Sequence, residues 1–212
     1  MADRGHEQNG LRWITDAYPD SFALTLSEGL SPQELLRNVG AEEEHVVPLT
    51  RSAALELLIR DAEDHISDLD FLDWEDETAI ARLTDGGFLP APPDTIVRAG
   101  AVPGWAYALE EFHCRTGAHL AALSRRGRAW TIHRNAKGFS CIDYALQGEL
   151  VTSFEPGLPH LTHGTPAEAA LGFVHTGHEP GDVAFLRFLE DELGLWLPWE
   201  ETEAELPAAA FT

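Results

Sequence analysis

The sequence predicts an α+β fold built on a mainly antiparallel β-sheet meander packed with several α-helices, and three observations predict it. Short stretches with a period of two recur along the chain, helix start and stop signals fall between them, and the order never settles into the strand–helix alternation of a parallel sheet. The chain has 212 residues, 44% of them hydrophobic and 24% charged. That length buries roughly 70% of the unfolded surface, so one domain over residues 1–212 is expected.

The elements follow in order. After a polar N-terminal tail, SFALTL (residues 21–26) alternates Phe22, Leu24 and Leu26 with smaller residues, as a half-buried strand does. In SPQELLRNVG, Ser31 caps a helix, Pro32 fits its first position, Glu34 completes a capping box and Gly40 supplies a left-handed stop. Thr50 caps a second helix carrying Ala54, Leu57 and Leu58 on one face. TIVRA and WAYALE read as strands joined through GAVPG as a hairpin, and a helix is expected over residues 118–126. RAWTIHR is a further strand. FSCIDYAL and ELVTSFEP form a hairpin about the two-residue turn Gln147-Gly148. Its regular register sets Ala145 opposite Leu150, Tyr144 opposite Val151 and Cys141 opposite Phe154, with apolar groups and hence cover on both faces. Two helices are expected to finish the chain, one started by the capping box Thr165-Pro166-Ala167-Glu168 and one over residues 183–193.

The charge narrows the partners. Thirty-six acidic residues against 14 basic ones give a net charge of −22, a field that repels nucleic-acid phosphates and anionic membranes and attracts cationic partners. No direct nucleic-acid binding is expected. The opening MADRGHEQNG lacks the apolar region of a secretory signal and no apolar run of about 18 residues occurs, so a cytoplasmic protein is expected. Cys114 and Cys141, separated by 26 residues, read as small buried side chains rather than a disulfide framework.

Residues 59–94 change character. They hold 11 carboxylates against Arg60 and Arg82 and close in DGGFLPAPPD, which reads as an acidic insertion or lobe. Within it Asp64, Asp68, Asp70, Asp73, Glu75, Asp76 and Glu77 surround Phe71, Leu72 and Trp74. Aromatic anchors inside a charged rim suit an interface that combines packing with steered association. The other reading is an amphipathic helix whose aromatics enter the core. The spacing is not that of an EF-hand.

Other candidate chemistry is thinner. The stretch PHLTHGTPAEAALGFVHTGHEPG holds the pairs His160/His163 and His175/His178. A helix of about ten residues between them would set its ends about 15 Å apart, so four imidazoles would not reach one ion, which needs its nitrogens about 2.0–2.1 Å away. No metal and no cofactor are predicted. His160 and His163, with a third ligand from a carboxylate, Cys114 or Cys141, stand as the alternative. His133, Arg134 and Asn135 at a strand end are possible ligand-binding residues for a small anion, although turn chemistry and a solvated charge explain them as well. There is no phosphate loop, dinucleotide fingerprint, HExxH or nucleophile elbow, so no catalytic residues are named.

SFALTLSEGLSP, PGWAYALE, ALSRRG, HRNAKGFSCIDYALQGELVTSFEP and LEDELGLWLPWE together resemble an actinobacterial family catalogued as a domain of unknown function. The similarity runs from Trp13 to Leu197 and is most specific over Gly148–Pro156. The resemblance implies no catalytic residue or cofactor, lacks a His-x-x-His signature at residues 160 and 163, and makes the acidic stretch look longer than the family's connection. That length suggests a function private to this chain.

The residues therefore predict a non-enzymatic acidic binding module for a basic protein partner, of the inhibitor, immunity or defence-regulator type. Asp68, Asp70, Phe71, Asp73, Trp74, Glu75 and Asp76 are its expected contacts. The alternative is a small enzyme or ligand-binding protein with a pocket near Arg134-Asn135, metal-assisted or not; a second alternative is a nucleic-acid mimic.

Overall fold

In a computed structural model that describes residues 10–61 and 65–212, nine strands among the described residues form one sheet. In chain order these are β1 (Phe22–Glu28), β2 (Val47–Leu49), β3 (Thr95–Val102), β4 (Trp105–Glu111), β5 (Arg128–Arg134), β6 (Ser140–Leu146), β7 (Glu149–Phe154), β8 (His163–Gly164) and β9 (Leu206–Phe211). The spatial order is β2-β9-β3-β4-β1-β5-β6-β7-β8, with every neighbouring pair antiparallel. Strands β5 to β7 form a meander as the sequence predicts, and the two-residue β8, expected as a turn, extends it. The helices are α1 (Ile14–Ala17), α2 (Pro32–Asn38), α3 (Arg51–Ile59), α4 (Glu77–Asp85), α5 (Leu120–Leu123), α6 (Ala167–Leu171), α7 (Gly181–Leu193) and α8 (Trp199–Glu203). The fold is α+β, and no helix among the described residues is long and apolar enough to cross a membrane.

Side-chain alternation gives the two faces different sizes. On the first, Phe22, Leu24 and Leu26 of β1 continue into Trp105, Tyr107 and Leu109 of β4 and Trp130 and Ile132 of β5. Phe185, Leu186 and Leu189 of α7 cover this face, and all three are fully buried. Burying each is worth about 1.5–3 kcal/mol, which fixes α7 to the sheet. The second face carries Ala99, Ala106, Ala108, Ala129 and Ala145, small enough for α2 (Leu35, Leu36) and α5 (Leu120, Leu123) to pack close. A third cluster, with Leu49, Leu57, Leu72, Leu83 and Phe88, lies beneath the acidic stretch. Gly100 pairs with Tyr107, and a Cβ on Gly100 would collide with the tyrosine ring.

The caps predicted at Ser31 and Thr50 form, on α2 and α3. Ser31 Oγ accepts from Glu34 N at 3.2 Å while Glu34 Oε2 accepts from Ser31 N at 2.9 Å, and Thr50 Oγ1 accepts from Ala53 N at 3.2 Å.

Four expectations are corrected. A bulge at Tyr144/Ala145 shifts the β6–β7 register, so Ala145 meets Leu150 as predicted but Tyr144 meets Thr152 and Ile142 meets Phe154. The helix expected over residues 118–126 is a 3-10 turn (Thr116–His119) followed by the single turn of α5. The capping box at Thr165 does not form. Thr165 N instead donates to Val151 O at 2.9 Å, continuing the pairing of β8 with β7, so α6 starts one residue later and spans five residues. Two helices do not finish the chain: β9 does, inserted between β2 and β3.

Candidate functional site

The acidic segment is a chain of turns that leads into α4. Asp68 Oδ2 accepts from His65 N at 3.1 Å, Asp73 Oδ1 accepts from Glu75 N at 3.0 Å, and Asp76 Oδ1 caps α4 by accepting from Thr78 N and Ala79 N, both at 3.0 Å. These local bonds need short carboxylates at those positions. They leave the charges outside. Asp68, Asp70, Asp73, Glu75 and Asp76 are exposed, and no ion pair among the described residues includes them. Asp64 lies outside the described residues.

The aromatics of the segment divide. Phe71 packs half-buried beside the buried Leu72 on the third core cluster, whereas Trp74 is 61% exposed. Arg60, one of the segment's two arginines, donates to the carbonyls of Phe88 and Pro90 and so ties the segment's return to its start.

The tripeptide at the end of β5 does not converge. Adjacent strand residues face opposite sides, so His133 joins the small-residue face and Arg134 the aromatic face. Arg134 Nη1 donates to Asp182 Oδ2 at 3.2 Å, and its Nη2 donates to the carbonyls of Thr15 and Tyr18 at 2.8 and 2.6 Å. Its charge is largely buried and internally spent, rather than the solvated charge that its strand-end position suggests. Asn135 Oδ1 accepts from Lys137 N and Phe139 N, the turn chemistry of the β5–β6 hairpin.

His133 stands in a cluster that the sequence did not signal. It pairs across the sheet with Cys141, whose Sγ lies 3.9 Å from Asp143 Oδ1 and 3.7 Å from Ser153 Oγ. Burial lowers the His133 pKa, the Asp143 carboxylate opposes this and His113 adds to it. Burial and Asp143 raise the Cys141 thiol, and burial with Glu110 pushes Cys114 up to about 12. Both sulfurs are therefore thiols rather than thiolate nucleophiles at neutral pH.

Next to them, Glu110 is buried and pushed up by that burial, against hydrogen bonds from Thr116 and from Arg115 N. Thr116 Oγ1 donates to Glu110, which makes Thr25 the donor to Thr116 at 2.6 Å and Thr131 the donor to Thr25 at 3.0 Å. Glu110 pairs across the sheet with the buried apolar Ala23 and Val97, a setting that only the folded sheet creates.

The histidine-rich connection places His163 opposite Ser153 in β8 and His160 in the 3-10 turn Pro159–Leu161. At five residues α6 is only about 7–8 Å long, about half the span expected of a ten-residue helix between the pairs. Among the described residues, no group of three or more His, Cys, Asp or Glu side chains is placed to hold a metal ion. His175 instead lines a cleft of about 440 Å³ between the end of β7 and α6.

A family model matches residues 9–178, running through the acidic segment and stopping before α7. The chain belongs to the DUF6461 family, a family of unknown function. LEDELGLWLPWE lies beyond the matched residues, so the DUF6461 match ends short of the Leu197 limit drawn from resemblance. No curated protein and no solved structure matches the chain significantly.

Proposed function

We propose that this DUF6461 protein is a non-enzymatic acidic binding module that engages a basic protein partner, acting as an inhibitor, immunity protein or defence-associated regulator in the cytoplasm. The observation that carries this reading is Trp74, 61% exposed and flanked in sequence by exposed carboxylates that no ion pair among the described residues includes. An exposed indole supplies the desolvated anchor typical of interface hot spots, and the rim of charge speeds encounter with a basic surface. Phe71 and Leu72, packed into the core, hold this display in place. The protonated thiols and the internally spent Arg134 favour binding over catalysis.

The test leaves Asp68, Asp73 and Asp76 alone, because their carboxylates hold backbone N–H groups. Wild-type chain, Trp74→Ala, and a triple variant with Asp70→Asn, Glu75→Gln and Glu77→Gln, all exposed carboxylates, serve as baits in the native cell, with captured proteins identified by mass spectrometry. A basic protein should be held by the wild type and lost from Trp74→Ala, and the triple variant should associate with it more slowly and with weaker salt dependence. Unchanged association of the triple variant at low salt, or a captured set indifferent to Trp74, would rule the lobe out.

A further inference from the structure

Beside the end of β7, the connection that runs through α6 to His175 encloses the cleft of about 440 Å³, within the roughly 300–1,000 Å³ of small-molecule sites. Its apolar wall contains Phe154 and Phe173, whose rings lie 5.9 Å apart. Phe185 backs Phe173 at 5.0 Å, edge to face, so the wall rests on the main core.

The charged side chains of the cleft all accept, and Thr162 adds a hydroxyl that can donate or accept. Glu155 and Glu168 line it, no Lys or Arg does, and no ion pair among the described residues includes either carboxylate. His175 adds a third acceptor. Its Nε2 lies 3.0 Å from the Glu179 carbonyl oxygen, which can only accept, so Nε2 carries the proton and Nδ1 of the neutral ring keeps a lone pair. Gly157, at φ +86°, stands beside that nitrogen, and a Cβ there would sit 3.1 Å from Nδ1. The glycine leaves it uncovered.

We infer that this cleft binds a small organic cation, a primary or secondary ammonium carried on an aromatic body. An anionic ligand would meet two uncompensated carboxylates, and a neutral hydrocarbon would leave three acceptors without donors. An alkylammonium supplies its N–H groups to Glu155, Glu168 and Nδ1 while its ring lies against Phe154 and Phe173. The net charge of −22 concentrates such cations around the protein.

Tryptamine, tryptophol and indole-3-acetate carry a similar indole body with positive, neutral and negative heads, and they are titrated by calorimetry into the full chain at low salt. Tryptamine should bind about tenfold or more tightly than tryptophol, and indole-3-acetate should not bind. Glu168→Gln and Glu155→Gln should each weaken tryptamine roughly three- to tenfold while leaving tryptophol unchanged. Glu44→Gln removes the same charge from an exposed site outside the cleft and should change neither. Ala167→Trp should fill the cleft and abolish tryptamine binding, and nuclear Overhauser contacts from the indole to the Phe173 ring should locate the ligand in the wild type. Equal affinity for amine and alcohol, a loss with Glu44→Gln as large as with Glu168→Gln, no tryptamine binding at millimolar concentration, or contacts to other rings would each overturn the inference.

Discussion

Arg134 of β5 and Asp182 in the first turn of α7 form a buried ion pair, with Nη1 and Oδ2 3.2 Å apart and Asp182 only 3% exposed. The same guanidinium holds the carbonyls of Thr15 and Tyr18 and lies 5.0 Å from the centre of the Phe22 ring. One side chain thus joins the α1 segment, the centre of the sheet and α7.

Arg134→Ala is expected to lose about 3 kcal/mol or more of unfolding free energy, because it strands Asp182 and two carbonyls away from water. Arg134→Lys should recover only part of this, since an ammonium does not reproduce the planar fork that reaches both sides. Urea denaturation of the three proteins measures both losses. A cost for Arg134→Ala below about 1 kcal/mol would mean the pair behaves as a surface contact.

His133 sets a pH dependence of known sign. Burial holds it below the ordinary histidine value of 6.5 in the folded chain, so the unfolded chain takes up that proton first as the pH falls. Its contribution is full above 6.5 and lost progressively below. Glu110 acts oppositely: burial raises it above the ordinary 4.5, and stability falls as the pH climbs from there through its raised value. His133→Gln should therefore flatten the loss of stability as the pH falls below 6.5, read from urea midpoints along that acid limb. An acid limb that keeps its slope in the variant would show that other groups produce it.

The fold was legible where a strand alternates and a helix is capped. RAWTIHR shows its limits because Trp130 and Ile132 alternate with Ala129 and Thr131, and Ser31 and Glu34 announce α2 by chemistry that needs no tertiary partner. LPAAAF gives no such signal. It becomes β9 because β2 and β3 offer it two edges, with Pro207 set opposite Pro48 and ladder donors missing from both. Of the candidate site, the exposed carboxylates around Trp74 were legible as a charge run. The cleft was not, since Phe154 and Phe173 lie far apart in sequence and meet only through the bend at α6. His133 and Arg134 were misleading as neighbours, because alternation sends them to opposite faces.

The β6–β7 turn carries avoidable strain. Gln147 has φ +50° and Gly148 has φ +91°, the two left-handed positions of a type I′ turn, and only the glycine adopts its angle freely. Gln147→Asn should stabilise the protein by about 0.5–1 kcal/mol, seen as a higher urea midpoint with unchanged slope. A neutral or negative change would show that Gln147 supplies something beyond its backbone conformation.

The last prediction concerns the thiols. Cys141 is exposed, yet partial burial and then the Asp143 carboxylate, 3.9 Å from its sulfur, raise its pKa and keep it protonated. Cys114 is more deeply set and pushed up to about 12, by burial first and by Glu110 second. Because alkylation proceeds through the thiolate, Cys141 should react with iodoacetamide more slowly than a free cysteine of equal access, and Cys114 more slowly still. Asp143→Asn removes the repelling charge and should speed labelling of Cys141 roughly two- to fivefold. Cys114 should respond less, since Asp143 stands behind burial and Glu110 among its influences. Peptide-resolved mass spectrometry over a time course separates the two sites. Fast labelling of Cys141 in the wild type would show instead an activated thiol beside His133 and reopen the catalytic reading of that end of the sheet.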